Sequence, residues 1–167
     1  MKIYIGFSRP KKKFFPIISW LIRWLDQVPF SHVYFRWECQ TGVECFYHAA
    51  SDMVHFLGGS IARESLEIVE EYSLEVNESQ LALFDKMTKK RAGTPYAKLQ
   101  LVGMMFVRLF KLKTNPWSDG TSTVVCSEEV THMLRNVFDK EVPGDVEIEG
   151  LRHLRDWCQK HLRKLNG

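Results

Sequence analysis

Two alternating segments on either side of Gln40-Thr41-Gly42 constrain this chain most tightly. From His32 to Cys39, the residues His32, Tyr34, Arg36 and Glu38 take one side and Val33, Phe35, Trp37 and Cys39 the other. That period of two belongs to a half-buried strand. Val43 to Ala49 reads as the returning strand. A three-residue loop with Gly42 in the left-handed conformation sets Cys39 opposite Val43 and Tyr34 opposite His48. His32 and His48 then lie on one face as diagonal neighbours, with backbones about 7 to 8 Å apart, a gap that long side chains bridge. A two- or four-residue loop would put them on opposite faces, because a one-residue slip inverts every side chain.

The second informative stretch is Thr123-Val124-Val125-Cys126-Ser127-Glu128-Glu129-Val130, a β-branched run leading into a helix. Val130, Met133, Leu134 and Val137 recur at helical spacing and place Cys126 in the first turn, on the inward stripe. Unpaired N–H groups and the positive end of the helix dipole favour a thiolate there, so a lowered pKa and a nucleophilic role are expected for Cys126. A buried structural cysteine is the plainer alternative, since free cysteine is among the most buried residue types.

The remaining elements follow from periodicity and breakers. Lys2 to Ser8 reads as a first strand closed by Arg9-Pro10, and Phe14 to Leu25 as a helix apolar nearly all round. That helix is either core or a membrane-surface element with a basic flank at Lys11-Lys12-Lys13. Met53 to Leu57 reads as a short strand, Gly58-Gly59 as a turn, and Leu66 to Val76 as one or two strands. Asn77 is the expected cap of a helix over 78–91. After the break Gly93-Thr94-Pro95-Tyr96, a second strongly apolar helix covers Lys98 to Leu112, and a last helix starts near Gly150.

With 167 residues and 45% hydrophobic content, the chain has the size of a single domain spanning 1–167 with one substantial core. A net charge of +3 is too small to argue for nucleic acid, and neither a Gly-rich phosphate loop nor an aromatic-basic signature is present. No apolar run reaches the length of a membrane span, and the N-terminus lacks a leader pattern, so a cytoplasmic location and reduced thiols are expected. Cys39, Cys45, His48 and Cys126 are suitable ligand types, but their spacing fits no compact zinc pattern, and no metal or other cofactor is expected.

Cys126, His32 and His48 together fit the logic of Cys-His catalysis, in which one imidazole takes the thiol proton and a polar partner holds that ring in place. Here the residues resemble a known family. Gly93-Thr94-Pro95-Tyr96 followed by Cys126-Ser127, and His32-Val33-Tyr34-Phe35 followed by Phe46-Tyr47-His48-Ala49-Ala50, are similar to the motifs of NlpC-type papain-like cysteine peptidases. Because the cysteine follows both histidines, the order resembles the circularly permuted branch, which includes the lecithin:retinol acyltransferase-like enzymes.

The resemblance covers roughly Met1 to Val137 and implies an α+β, permuted papain-like fold: a small, mostly antiparallel sheet packed on the nucleophile-bearing helix and flanking helices. It implies Cys126 as nucleophile, His32 as general base and His48 as the orienting residue, with Tyr96, Tyr34 and Ser127 near the substrate. The expected activity is cysteine-dependent hydrolysis of a peptide, amide, thioester or acyl-ester substrate. The peptidases read Asp-Cys-Ser-Gly where this chain has Val125 and Glu128, so cell-wall specificity is not implied. Glu128 and Glu129 would oppose thiolate formation if they turned toward the sulfur. Two other readings stand beside this one: a lipid acyltransferase or acyl hydrolase touching a membrane surface through Phe14–Leu25 or Lys98–Leu112, and a non-catalytic module that keeps the fold.

Overall fold

The computed structural model describes residues 1–11, 16–39, 41–50, 52–110, 112, 114–115, 117, 122–145 and 150–165. Among these residues the chain forms six helices and one six-stranded antiparallel sheet, a mixed α+β architecture. In chain order the elements are β1 (Lys2–Pro10), α1 (Pro16–Asp26), β2 (His32–Glu38), β3 (Glu44–Ala50), β4 (Met53–Gly58) and α2 (Gly59–Ser65). They continue with β5 (Leu66–Glu75), α3 (Glu78–Arg91), α4 (Lys98–Phe110), α5 (Cys126–Asn136), α6 (Leu151–His161) and β6 (Arg163–Lys164). The strand order is β4-β3-β2-β1-β5-β6, so every connection within β1 to β4 except the α1 crossing is a hairpin step.

Alternation decides which side chains meet the helices. Ile3, Ile5 and Phe7 of β1, Val33 and Phe35 of β2, Tyr47 and Ala49 of β3, and Tyr72 and Leu74 of β5 all turn to one face. There they pack on Phe84 of α3, Val130, Met133 and Leu134 of α5, and Leu154 and Trp157 of α6. Burying side chains of this size is worth roughly 1.5 to 3 kcal/mol each, so this layer dominates the stability of the sheet. The opposite face carries a smaller cluster of Tyr34, Phe46 and Ala62.

The hairpin register is the one the turn implies. Phe35 pairs with Tyr47 and Trp37 with Cys45, the Cys39 N–H donates to the Val43 carbonyl at 2.9 Å, and Gly42 sits at φ +75°. Asn77 caps α3 with a side chain that accepts from the Gln80 N–H, and Gln80 reaches back to the Asn77 N–H. This reciprocal box satisfies two otherwise orphaned donors.

Two elements differ from expectation. Gly58-Gly59 is not a turn: Gly58 ends β4 and Gly59 opens α2, whose seven residues are too few to display an apolar period. Its stability is tertiary: Ala62 packs under Tyr34 and Phe46, and Arg63 pairs with Glu44 at 2.8 Å. A Cβ on Gly59 would lie 2.7 Å from the Glu44 Cβ, so only glycine lets the helix approach β3. β6 pairs with Tyr72 and Ser73 at the sheet edge, too short a pairing for alternation to reveal. Phe14 and Phe15 of the expected first helix, Gln40 of the turn, and Lys111 and Lys113 beyond α4 lie outside the described residues. Among the described residues, no helix is long and apolar enough to cross a membrane.

Candidate active site

The segment before α5 is held by backbone pairing with the Gly93–Tyr96 break. Gly93 adopts φ +87°, a left-handed conformation that favours glycine. It lets residues 93–96 run along β4, with the Gly93 N–H on the Val54 carbonyl and the Val54 N–H on the Thr94 carbonyl, both at 2.8 Å. Tyr96 then bridges Val124, and the Val124 N–H donates to the Pro95 carbonyl at 3.1 Å. The break and the β-branched run thus deliver Tyr96 and Cys126 to one point, the N-terminus of α5.

Cys126 is the first residue of α5 and is buried. Burial pushes its pKa up, against hydrogen bonds from the Val33 and Ser127 amides, from the Tyr96 hydroxyl and from its own amide, which pull it down. The expectation of a lowered thiol pKa is therefore reversed: desolvation of the anion outweighs the helix terminus. The resting group is the thiol. Val33 directly follows His32, so the sulfur sits against the peptide that carries the histidine. In this structure no hydrogen bond joins the Cys126 thiol to the His32 ring.

His32 and His48 are both buried, and His32 Nε2 lies 2.7 Å from His48 Nδ1. Burial, with a smaller contribution from His55, lowers the His32 pKa from 6.5 to about 4. Burial followed by the neighbouring His32 and His55 lowers His48 further, to about 2. Both rings are neutral near pH 7, the form in which an imidazole can accept a proton. On the far side of His48, its Nε2 lies 3.0 Å from His55 Nε2, and His55 Nδ1 lies 3.0 Å from the Met53 carbonyl. His55 is the residue that the sequence reading did not bring to the site, and it is placed there by the β3–β4 register, in which His48 lies opposite His55.

The other expected residues are distributed unequally. Tyr96 is half-buried with its hydroxyl at the sulfur, and burial followed by Cys126 raises its pKa. Ser127 lines the pocket beside Cys126. Tyr34 is placed elsewhere. It is fully buried, its ring packs on Phe46 at 5.0 Å between centroids, and its hydroxyl donates to Glu71 at 3.0 Å. The residues of α2 and β5 that cover this face leave it no free surface.

The two glutamates after Cys126 are engaged away from the sulfur. Glu128 accepts from the Val125 N–H at 3.4 Å and from Gln100 at 3.2 Å, closing the first turn. Glu129 accepts from the Tyr47 hydroxyl at 2.6 Å and pairs with Arg91 at 2.6 Å, which locks α5 onto β3 and α3.

Cys126 forms part of a cleft of about 30 Å3 between α1, α4 and the start of α6, lined by Ile22, Leu25, Leu101, Met104, Met105 and Val125 among others. Asp26 joins these three elements by pairing with Arg108 and accepting the Leu151 N–H at 2.9 Å. The outer surfaces of α1 and α4 are apolar. Ile17, Trp20 and Trp24 on α1 are 75%, 56% and 56% exposed, and Leu99 and Phe110 on α4 are 71% and 64% exposed, so neither helix is buried on two sides.

Cys39 and Cys45 are free thiols with their sulfurs 2.9 Å apart near the hairpin turn, on the side of the strand away from His48. Among the described residues no three His, Cys, Asp or Glu side chains converge as a metal-ligand set. Compared with known proteins, the chain matches no family model and no curated sequence.

Proposed function

We propose that the protein is a cysteine-dependent hydrolase of permuted papain-like architecture, acting on an amide, thioester or ester carbonyl through an acyl-enzyme on Cys126. The observation that carries this reading is the 2.7 Å contact of His32 with His48, directly beside the peptide that receives the Cys126 sulfur. In the reaction, His32 takes the thiol proton as the sulfur attacks the carbonyl carbon. The carbonyl oxygen gains negative charge near the Cys126 amide and the Tyr96 hydroxyl, donors suited to an oxyanion at a helix N-terminus. His32 then returns the proton to the leaving amine, alkoxide or thiolate; water, deprotonated by the same ring, attacks the acyl carbon, the C–S bond breaks, and the ring gives its proton back to the Cys126 sulfur. His48 keeps the His32 ring oriented throughout.

The cleft volume bears on the substrate. Pockets that enclose a whole small molecule measure about 300 to 1,000 Å3. A cleft of about 30 Å3 admits the reacting group alone and leaves the remainder of the substrate on the outer surface.

The test is trapping of the acyl-enzyme with p-nitrophenyl acetate. Intact-mass and peptide-mapping measurements should find one acetyl group on Cys126, absent from Cys126→Ala and strongly reduced in His32→Gln. Acetylation of Cys39 or Cys45 instead, or no adduct at all, would leave the fold as a non-catalytic module.

The exposed apolar faces of α1 and α4 on both sides of the cleft favour a second reading, in which the acyl group comes from a lipid at a membrane surface. Co-sedimentation with neutral and anionic vesicles separates the two. Binding that is lost in the double variant Trp20→Glu with Leu99→Glu supports the lipid version, and no binding by the unaltered protein removes it.

A further inference from the structure

We propose that His55 is a positioning residue whose contact with the Met53 carbonyl dictates which nitrogen carries the proton on His48 and, through it, on His32. The purpose of that arrangement rests on the hydrolase reading above, but the proton pattern itself is independent of any activity.

The argument starts at the outer end. A carbonyl oxygen only accepts, so His55 Nδ1, 3.0 Å from the Met53 oxygen, carries the proton. A neutral His55 then has a bare Nε2. His48 Nε2 lies 3.0 Å from that atom and must donate to it. A neutral His48 is left with a bare Nδ1, which accepts the proton of His32 Nε2 at 2.7 Å. Neutral His32 is therefore bare at Nδ1, the ring nitrogen closer to its own backbone along the side chain, and the Cys126 sulfur sits at the amide of the next residue, Val33. A single backbone carbonyl, read through three rings, leaves a lone pair on His32 for the thiol proton.

With all three rings neutral, the reverse pattern fails at one of the contacts. If His48 donated from Nδ1 to His32, its bare Nε2 would face either the bare Nε2 of His55, lone pair against lone pair, or an Nε2–H that leaves His55 Nδ1 bare against the carbonyl. Each is a repulsive pairing of acceptors at 3.0 Å. A further proton on His32 or His48 is disfavoured by their burial, whereas one on His55 would let that ring donate to both its neighbours and reverse the order, so a neutral His55 is part of the proposal. Strand geometry supplies the alignment: His48 and His55 are direct cross-strand partners, and His32 is the diagonal neighbour one strand further in. When His32 takes up the thiol proton, its Nε2–H still points at an acceptor that is itself backed by a donated N–H, so the imidazolium is stabilised without rearrangement.

The experiment is nitrogen-15 NMR of the histidine rings in the intact protein at pH 7. The expected pattern is Nδ1–H on His55 and Nε2–H on both His48 and His32. An Nδ1–H form of His32 or of His48 in the unaltered protein overturns the proposal, and this measurement needs no variant to fold. Two substitutions extend it. His55→Gln keeps an acceptor for His48 and a donor for Met53 and should preserve the His48 and His32 tautomers. His55→Leu should produce a tautomer mixture at His48 and slow acetylation of Cys126 by at least about tenfold in kcat with little change in KM, the scale on which a misdirected base acts. Unchanged tautomers in His55→Leu refute the relay even if acetylation of the unaltered protein succeeds. The expected tautomers with no acetylation at all uphold the relay and refute the hydrolase reading.

Discussion

The Tyr47 hydroxyl donates to Glu129 Oε1 at 2.6 Å, and Glu129, with a side chain only 1% exposed, is also the partner of Arg91. This cluster is the polar contact that fixes α5, and Cys126 with it, against the sheet. Replacing a buried acid and leaving its cation behind costs about 3 to 5 kcal/mol, whereas losing one hydrogen bond to a charged group costs about 1.5 to 3. Glu129→Gln should accordingly destabilise the fold more than Tyr47→Phe, as measured by urea unfolding. Equal losses would mean that Arg91 finds water when its partner is gone.

Gly6 lies opposite Tyr34 in the β1–β2 ladder, and a Cβ there would stand inside the Tyr34 ring. The ring is held from beyond by Phe46 and by the hydroxyl contact with Glu71, so it has nowhere to retreat. Gly6→Ala should destabilise by about 1 to 3 kcal/mol, the usual cost of overpacking. Combining it with Tyr34→Ala should remove that increment in a double-mutant cycle of chemical denaturation.

Tyr96 supplies the hydroxyl that reaches the Cys126 sulfur. Tyr96→Phe keeps the ring packed against Met104 and Val125 and removes only this donor. Acetylation of Cys126 by p-nitrophenyl acetate should slow by roughly ten- to a hundredfold, below or near the effect of losing one oxyanion donor, with an unchanged circular dichroism spectrum. A rate equal to that of the unaltered protein would confine Tyr96 to packing.

Acid should loosen the fold through its buried histidines. His32 is lowered from 6.5 to about 4 and His48 to about 2, in both cases by burial first and neighbouring rings second. The unfolded chain therefore binds protons that the folded chain refuses. The resulting stability is whole above pH 6.5 and is lost as pH falls through 6.5 toward 4, at no more than about 1.4 kcal/mol per pH unit for each ring. His132, lowered by burial and then by Arg91, adds to the same trend. Thermal unfolding across pH 7 to 4 should thus show a falling Tm whose slope is smaller in His48→Asn than in the unaltered protein.

The hairpin at the centre of the site was legible because its information is local. Alternation over 32–39 and 43–49 identifies two faces, and Gly42, free to adopt positive φ, selects the loop length that puts His32 and His48 together. Asn77 and Gln80 marked the start of α3 for the same reason, since a cap and its reciprocal partner lie three residues apart. The Gly93–Tyr96 break and the Cys126 helix were likewise visible as breakers and periodicity.

What only tertiary structure decided is what each face meets. Alternation sets Tyr34 on the same side as His32 and His48, but α2 and Glu71, distant in sequence, cover that part of the sheet and take Tyr34 out of reach. α2 itself exists through Ala62 and Arg63 contacts rather than through a pattern of its own. The position of Cys126 at a helix start was written in the sequence and argued for a low thiol pKa. Burial under α1 and α4 reversed the sign, because desolvation depends on everything packed around an atom and periodicity reports only its own element.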